Sequence, residues 1–440
     1  MTKLLEPKVW IGEFFSSNYE KRFPGKVIYS PENGIVLDYT ITGLEQPAAT
    51  EYVYGVLENG RKCTLVGWFD PAHSGMSIHH GFSTLSGKNG FHFLVIGEFL
   101  NDNSMFKKLT FTITSLHEFF SPRGFKDSVR HTGRPLIEAA LSYGRLSIGT
   151  TASFISLSKD IAAHIYSHNE SAINELQECF KAVEERHPKS FFMLKKDIDY
   201  NVRLEMNSEA DVRSLYKHIL ELTALFSILL YNPVLPESIE IHSGEDENRL
   251  SLEVYPSQVI DKRTLEFATQ QSSHFHMPIT NSNIDLAKTI EQWSTMADDF
   301  SVIVSSIQTE TGFRSRHSIL SDLVLYATQL ESISYSASIQ NQDRYEWPID
   351  TYGSIQLKDV LSKLFSKANA KSVGQNIGDL RNEIAHIKKS RKLLIVLSQV
   401  DLIIISQCLQ LVIIGYILRQ LGIQETTAKE YLDAFTRFRI

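Results

Sequence analysis

The segment Gly378-Asp379-Leu380-Arg381-Asn382-Glu383-Ile384-Ala385-His386 brings a guanidinium, an amide and an imidazole close together in sequence. Apolar Ile377, Leu380, Ile384 and Ile387 recur at the spacing of one helical face. At about 100° per residue, Asn382 and His386 point away from that stripe and Arg381 sits on its flank. The local core has no need of these three side chains. Together they suit metal-free cleavage of RNA. The attacking 2′-hydroxyl must lose a proton and the leaving 5′-oxygen must gain one, and an imidazole does either near neutral pH. A forked guanidinium holds the extra charge on the phosphate oxygens bidentately. One histidine cannot easily serve both oxygens, so the chemistry favours a homodimer that pairs two copies of the helix. The same spacing also fits a plain surface, with Arg381 and Glu383 solvated and His386 a cation at a helix C-terminus.

Other residues could join this site. Lys388, Lys389, Arg391 and Lys392 follow His386 directly and could cradle RNA phosphates, or form a solvated turn that complements the helix dipole. Glu331 sits beside the apolar stripe of an upstream helix, where it could orient Arg381 or His386; a surface glutamate has the same pattern. His274 and His276 share a face if extended, but no third ligand is in sight and no metal site is assigned. His79 and His80 would point to opposite faces of a strand. Gly81 to Asn89 contains Gly87-Lys88 yet lacks the spacing and the Ser or Thr of a phosphate loop, and stands among hairpins. No cofactor is implied.

The elements that must position the motif form an α+β multidomain chain. Its 440 residues suffice for two or three cores. Strand alternation fills residues 1 to about 125. Val27–Tyr29 and Gly34–Tyr39 flank a turn at Pro31–Gly34, and Tyr52–Leu57 and Cys63–Trp68 flank Glu58-Asn59-Gly60-Arg61. Phe91–Phe99 and Leu109–Ile113 add strands to an antiparallel sheet or sandwich. A mixed α/β lobe follows to residue 282. It has helices over Asn169–Glu185 and Ala210–Leu230, the latter capped by Asn207 or Ser208, and strands over Asp197–Leu204 and Ser238–Ile241. From 283 to 440 the pattern is all-helical: Ile284–Ile307, His317–Ala337, Leu357–Phe365, the motif helix Ser372–His386, Leu393–Leu421 and Thr427–Phe438. Asn341–Gly353, carrying Trp347-Pro348, reads as an irregular loop. Short connections make these helices a bundle.

Formal net charge is −7, so an RNA site must be a local positive patch working against the global field. Three scattered cysteines, Cys63, Cys179 and Cys408, fit reduced core thiols in a cytoplasmic protein. The N-terminus lacks the apolar core of a signal peptide. Leu393–Leu418 is interrupted by Ser398, Gln399, Asp401, Ser406, Gln407 and Gln410, which favours a buried bundle helix over a membrane span. Its apolar surface is also the expected source of the dimer contact.

The Arg-Asn-x-x-x-His form in a C-terminal helical segment resembles the HEPN ribonuclease domain, and Gln329-Leu330-Glu331 upstream fits the same pattern. More narrowly, the chain resembles the ApeA-type anti-phage proteins, which join a β-rich N-terminal region to such a domain. Cys63-Thr64-Leu65 after a hairpin and Val95-Ile96-Gly97-Glu98 are similar to their N-terminal region. The resemblance is specific at the motif helix and diffuse elsewhere. It implies an endoribonuclease of abortive anti-phage defence that leaves 2′,3′-cyclic phosphate ends, with the N-terminal region sensing infection or restraining the nuclease. His386 would be the acid/base, Arg381 the phosphate stabiliser, Asn382 an orienting group and Glu331 a supporting one. RNA, tRNA included, would be the substrate, and a phage-derived trigger the partner. The alternative is a non-catalytic helical protein that binds a partner or a nucleotide. A nucleotidyl-modifying enzyme would need a Gly-Ser and paired-Asp signature that the chain lacks.

Overall fold

The computed structural model describes residues 4–16, 21–42, 47–71, 75–79, 82–120, 134–156, 165–190, 192–242, 251–270, 277–300, 303–304, 316–339, 344–368, 371–386 and 392–436. Fourteen strands among them form one sheet with antiparallel pairing throughout. In chain order these are β1 (Lys8–Phe15), β2 (Phe23–Ser30), β3 (Gly34–Thr42), β4 (Thr50–Leu57), β5 (Lys62–Phe69), β6 (Gly75–His79) and β7 (Phe82–Phe91). Then come β8 (Phe93–Ile96), β9 (Phe106–Ile113), β10 (Ile137–Leu141), β11 (Gly144–Ser156), β12 (Met193–Ala210), β13 (Pro236–His242) and β14 (Leu252–Pro256).

The first hairpins form where the turn chemistry asks for them. Gly60 closes the β4–β5 turn at φ +79°. The chain passes from β7, paired with β3, to β8, paired with β5, through His92, whose N–H donates to the Val66 carbonyl at 2.8 Å. Twist therefore curls the first eight strands round a core of Phe14, Phe23, Val27, Leu37, Val53, Leu65 and Phe69. Gly87 and Lys88 stand within β7, opposite Tyr39 and Asp38, in a strand and not a phosphate loop.

The ladder does not stop near residue 125. β9 pairs with both β12 and β13, so strands on either side of that point share one sheet. The β10–β11 hairpin and β14 lie where the sequence pattern assigns no strand, and β12 extends well beyond the Asp197–Leu204 strand expected there. Because β12 runs to Ala210, Asn207 and Ser208 lie in a strand. Helix α3 (Val212–Leu230) is instead capped by Asp211, whose carboxylate accepts from the Ser214 N–H at 2.9 Å. The earlier helices are α1 (Leu116–Phe120) and α2 (Glu170–Arg186), and α4 (Lys262–Thr269) follows α3.

The second half of helix α3, Leu222–Leu230, is buried all round because the helix serves two layers, whereas Arg213, Ser214 and Lys217 leave one side of its first half exposed. One side, Val212, Leu215 and Ile219, covers Leu109, Ile239, Ile241 and Val254 of the sheet. Its far end meets the C-terminal helices. Tyr431 donates its hydroxyl to the Ile228 carbonyl, and the Tyr231 and Phe435 rings lie 4.9 Å apart. The sheet and the helical region thus share one apolar core.

After β14 and α4 the chain is helical: α5 (Leu286–Met296), α6 (Arg316–Ser336), α7 (Glu346–Tyr352), α8 (Ile355–Ser366), α9 (Val373–Ala385), α10 (Leu393–Val396), α11 (Gln399–Gln420) and α12 (Glu425–Phe435). Three expectations are corrected here. Helix α5 ends at Met296 in a short 3₁₀ turn, Ala297–Phe300, short of the expected Ile307, although Ile303 and Val304 are helical again. The supposed loop at 341–353 holds α7, since Pro348 falls in the first turn, where its missing N–H costs nothing. The long apolar helix is broken at Leu397–Ser398. Ser398 and Asp401 form a capping box that starts α11 afresh.

Helix α11 forms the bundle centre, packed by α6, α7, α8 and α12. It is long and apolar enough to cross a membrane, yet 78% of that stretch is buried inside the chain. Most of its apolar surface is therefore covered within the protomer, with Val400 in its first turn exposed. Of the cysteines, Cys63 and Cys408 are buried and burial pushes both thiols up to about 12, whereas Cys179 is exposed and not a core thiol.

Candidate active site

The motif helix is α9. Ser372 caps it, its hydroxyl accepting from the Gln375 N–H at 3.3 Å, and His386 terminates it. Ile377 and Leu380 are buried and Ile384 half-buried, so the apolar stripe faces the bundle. Two glycines one turn apart let the start of α7 seat on this helix. A Cβ on Gly374 would lie 2.6 Å from the Glu346 backbone nitrogen, and one on Gly378 would lie 3.1 Å from the Tyr345 ring. The Gly374 N–H donates to the Glu346 carboxylate at 2.6 Å and locks the corner in place.

Arg381 and Asn382 are half-buried side by side, with Nη1 of Arg381 3.4 Å from Oδ1 of Asn382. Among the described residues, Nε of Arg381 is buried without a hydrogen-bond partner. Such a donor is held ready for an acceptor, because leaving it unmet is costly. His386 is exposed where the chain turns from helix to extended backbone, and its N–H donates to the Asn382 carbonyl at 3.1 Å. The three motif residues thus share the solvent side of the helix.

Glu331, on α6, is placed differently from the role considered for it. Its carboxylate pairs with Arg344 at 2.7 Å and accepts from the Tyr335 and Tyr345 hydroxyls at 3.1 and 3.3 Å. No bond joins it to Arg381 or His386. Tyr345 is the link, since both Glu331 and Arg381 act on it. Burial first, then Glu331, raises the phenol's pKa, while Arg344 and Arg381 pull it down. Burial works against the charge of Arg344, but Tyr345, Tyr335 and Glu331 outweigh it and raise the guanidinium's pKa.

Glu383 is the residue that spacing alone misjudged. It is buried, and its carboxylate accepts from the backbone N–H groups of Lys392, Leu393 and Leu394 at 2.9 to 3.1 Å. It caps the start of α10 and ties the segment after His386 back to the motif helix. A signal was there: Glu383 stands three residues after Leu380, on the buried stripe. Lys392 itself is exposed. Lys388, Lys389 and Arg391 lie outside the described residues, as do His274, His276 and His80, and nothing is described of the His79 side chain.

Residues 320–427, the span holding α9, Glu331, Arg381 and His386, match the Apea-like HEPN family, and residues 9–293 match ApeA N-terminal domain 1. The chain belongs to the ApeA family. No curated protein and no solved structure matches it. The HEPN domain supports a nuclease role in defence, HEPN domains being typically ribonucleases.

Proposed function

We propose that the protein is a metal-independent endoribonuclease, acting in the cytoplasm in abortive anti-phage defence. The observation that carries this is the Arg381–Asn382 pair beside an exposed His386, with a guanidinium N–H unmet among the described residues, inside a HEPN-type helical region. His386 moves the proton, Arg381 stabilises the phosphate charge and Asn382 orients them, leaving a 2′,3′-cyclic phosphate. Glu331 supports Arg381 through Tyr345. Lys388, Lys389, Arg391 and Lys392 carry RNA phosphates. The helical domain, from about residue 283, forms a homodimer in which two motif helices share a cleft. Exposed Ile395 and Val396 of α10 and Val400 in the first turn of α11, close after the motif, supply an apolar contact. The N-terminal region senses a phage-derived trigger or restrains the nuclease, and its shared core with the bundle gives it a route to do so.

The test is cleavage of total RNA by the full chain and by Arg381→Ala and His386→Ala. Each variant should melt like the parent and cleave nothing, and mixing the two restores partial activity if the cleft takes its two groups from opposite chains. Native-rate cleavage by either single variant overturns the assignment.

A further inference from the structure

Beside the motif helix runs an open groove of about 660 Å³, which Asn382 helps to line. We infer that this groove is the track for the RNA strand flanking the scissile phosphate, with Arg344 and Lys371 as its phosphate-binding cations; this rests on the nuclease reading above.

The walls follow from the packing already described. The Tyr345–Glu346 corner, seated on Gly374 and Gly378, makes one wall and carries Arg344. Lys371, just before the Ser372 cap, and Gln375 and Asp379 of the motif helix make the other. The direction is set by the helix. Positions 374, 378, 382 and 386 succeed one another one turn apart on a single stripe, so the wall resting on the two glycines leads to Asn382 and then to His386. From Gly374 to Asn382 the helix rises about 12 Å at 1.5 Å per residue, more than a lone phosphate needs.

The cations stand on opposite walls, and each is held by a counter-ion. Arg344 pairs with Glu331 at 2.7 Å and its side chain is 33% exposed; Lys371 pairs with Asp379 at 2.6 Å and is 53% exposed. Partly solvated pairs of this kind are weak, so a phosphate can join or displace the acid. The Arg344 fork has five donors; its ion pair with Glu331 engages Nη1, and the guanidinium also donates to the Tyr335 hydroxyl. The guanidinium also lies over the Tyr345 ring, 4.9 Å from its centroid, which fixes its aim. Glu331 then acts by positioning Arg344 as well as Tyr345. In a chain of net charge −7, such local cations decide where a polyanion can lie.

The experiment uses full-length protein with Arg344→Gln or Lys371→Gln, and a single-stranded oligonucleotide of 2′-O-methyl riboses, which lacks the nucleophile. Binding is followed by anisotropy across a salt series. Each substitution should weaken binding roughly tenfold. It should also lower the slope of log affinity against log salt by about 0.7, a signature that a merely structural change does not produce. On cleavable RNA, KM should rise more than kcat falls. Unchanged affinity and slope in both variants, or a parent that binds no strand, overturns the groove. So does a variant that turns a dimeric parent into monomers, which would assign the groove to contact between copies. A parent that binds with this salt signature yet cleaves no RNA sinks the nuclease reading and leaves the groove standing.

Discussion

Glu383→Ala tests whether the motif helix holds the chain that follows His386. The wild-type carboxylate is 5% exposed and accepts from three consecutive N–H groups, of Lys392, Leu393 and Leu394. A hydrogen bond to a charged group contributes about 1.5–3 kcal/mol. Three such bonds do not sum, because Lys392 is exposed and water can replace part of the loss. A local cost of about 2–3 kcal/mol is the reasonable net. At about 1.4 kcal/mol per tenfold, amide hydrogen exchange at these three positions should quicken roughly 30- to 150-fold. Amides within α11, which is capped independently by Ser398 and Asp401, should hold their rates. Glu383→Gln should fall between, since it keeps one acceptor but turns an NH₂ donor toward N–H donors. RNA cleavage should slow in both, as the residues beyond His386 lose their far anchor. If the three amides exchange at wild-type rates in a folded alanine variant, the anchoring argument is wrong.

Three further outcomes are expected. RNA cleavage should continue in excess chelator and leave 2′,3′-cyclic phosphate ends, read by end-labelling; activity lost in chelator and restored by magnesium would require a metal mechanism. Asp401→Asn should cost about 1–2 kcal/mol near pH 7, from loss of the α11 capping box and the 2.7 Å pair with Lys367. Burial alone would raise the pKa of Asp401, but its hydrogen bonds from Lys367 and Ser398 outweigh that and lower it. That stability is therefore present above the ordinary carboxylate value, about 3.9, and is lost as pH falls through the folded-state value, so acid melts of parent and variant should converge. Gln410→Leu should cost roughly 1–3 kcal/mol in urea unfolding, because Gln410 accepts from the Tyr231 hydroxyl at 2.7 Å and donates to that of Tyr326 at 3.2 Å in the core.

Local pattern was enough for much of this protein. The Ile377–Leu380–Ile384 stripe set the motif helix and the side from which Arg381, Asn382 and His386 project, because helical periodicity is a property of neighbours. Turn residues such as Gly60 set the early hairpins for the same reason. Local residues also decide the break at Ser398, though a run of apolar side chains hides it: the Ser398–Asp401 capping box lies within four residues. Other features depend on partners far along the chain. That β9 lies between β12 and β13 is decided by hydrogen bonds across some ninety or more residues. The burial of α11 depends on helices from both sides of it, which no window of its own residues contains. At the site, Glu331 and Glu383 carry the same charge and look alike as surface acids. One meets Arg344 and two tyrosines, and the other meets the backbone of α10. Each carboxylate goes where donors converge, and only tertiary packing determines where that is.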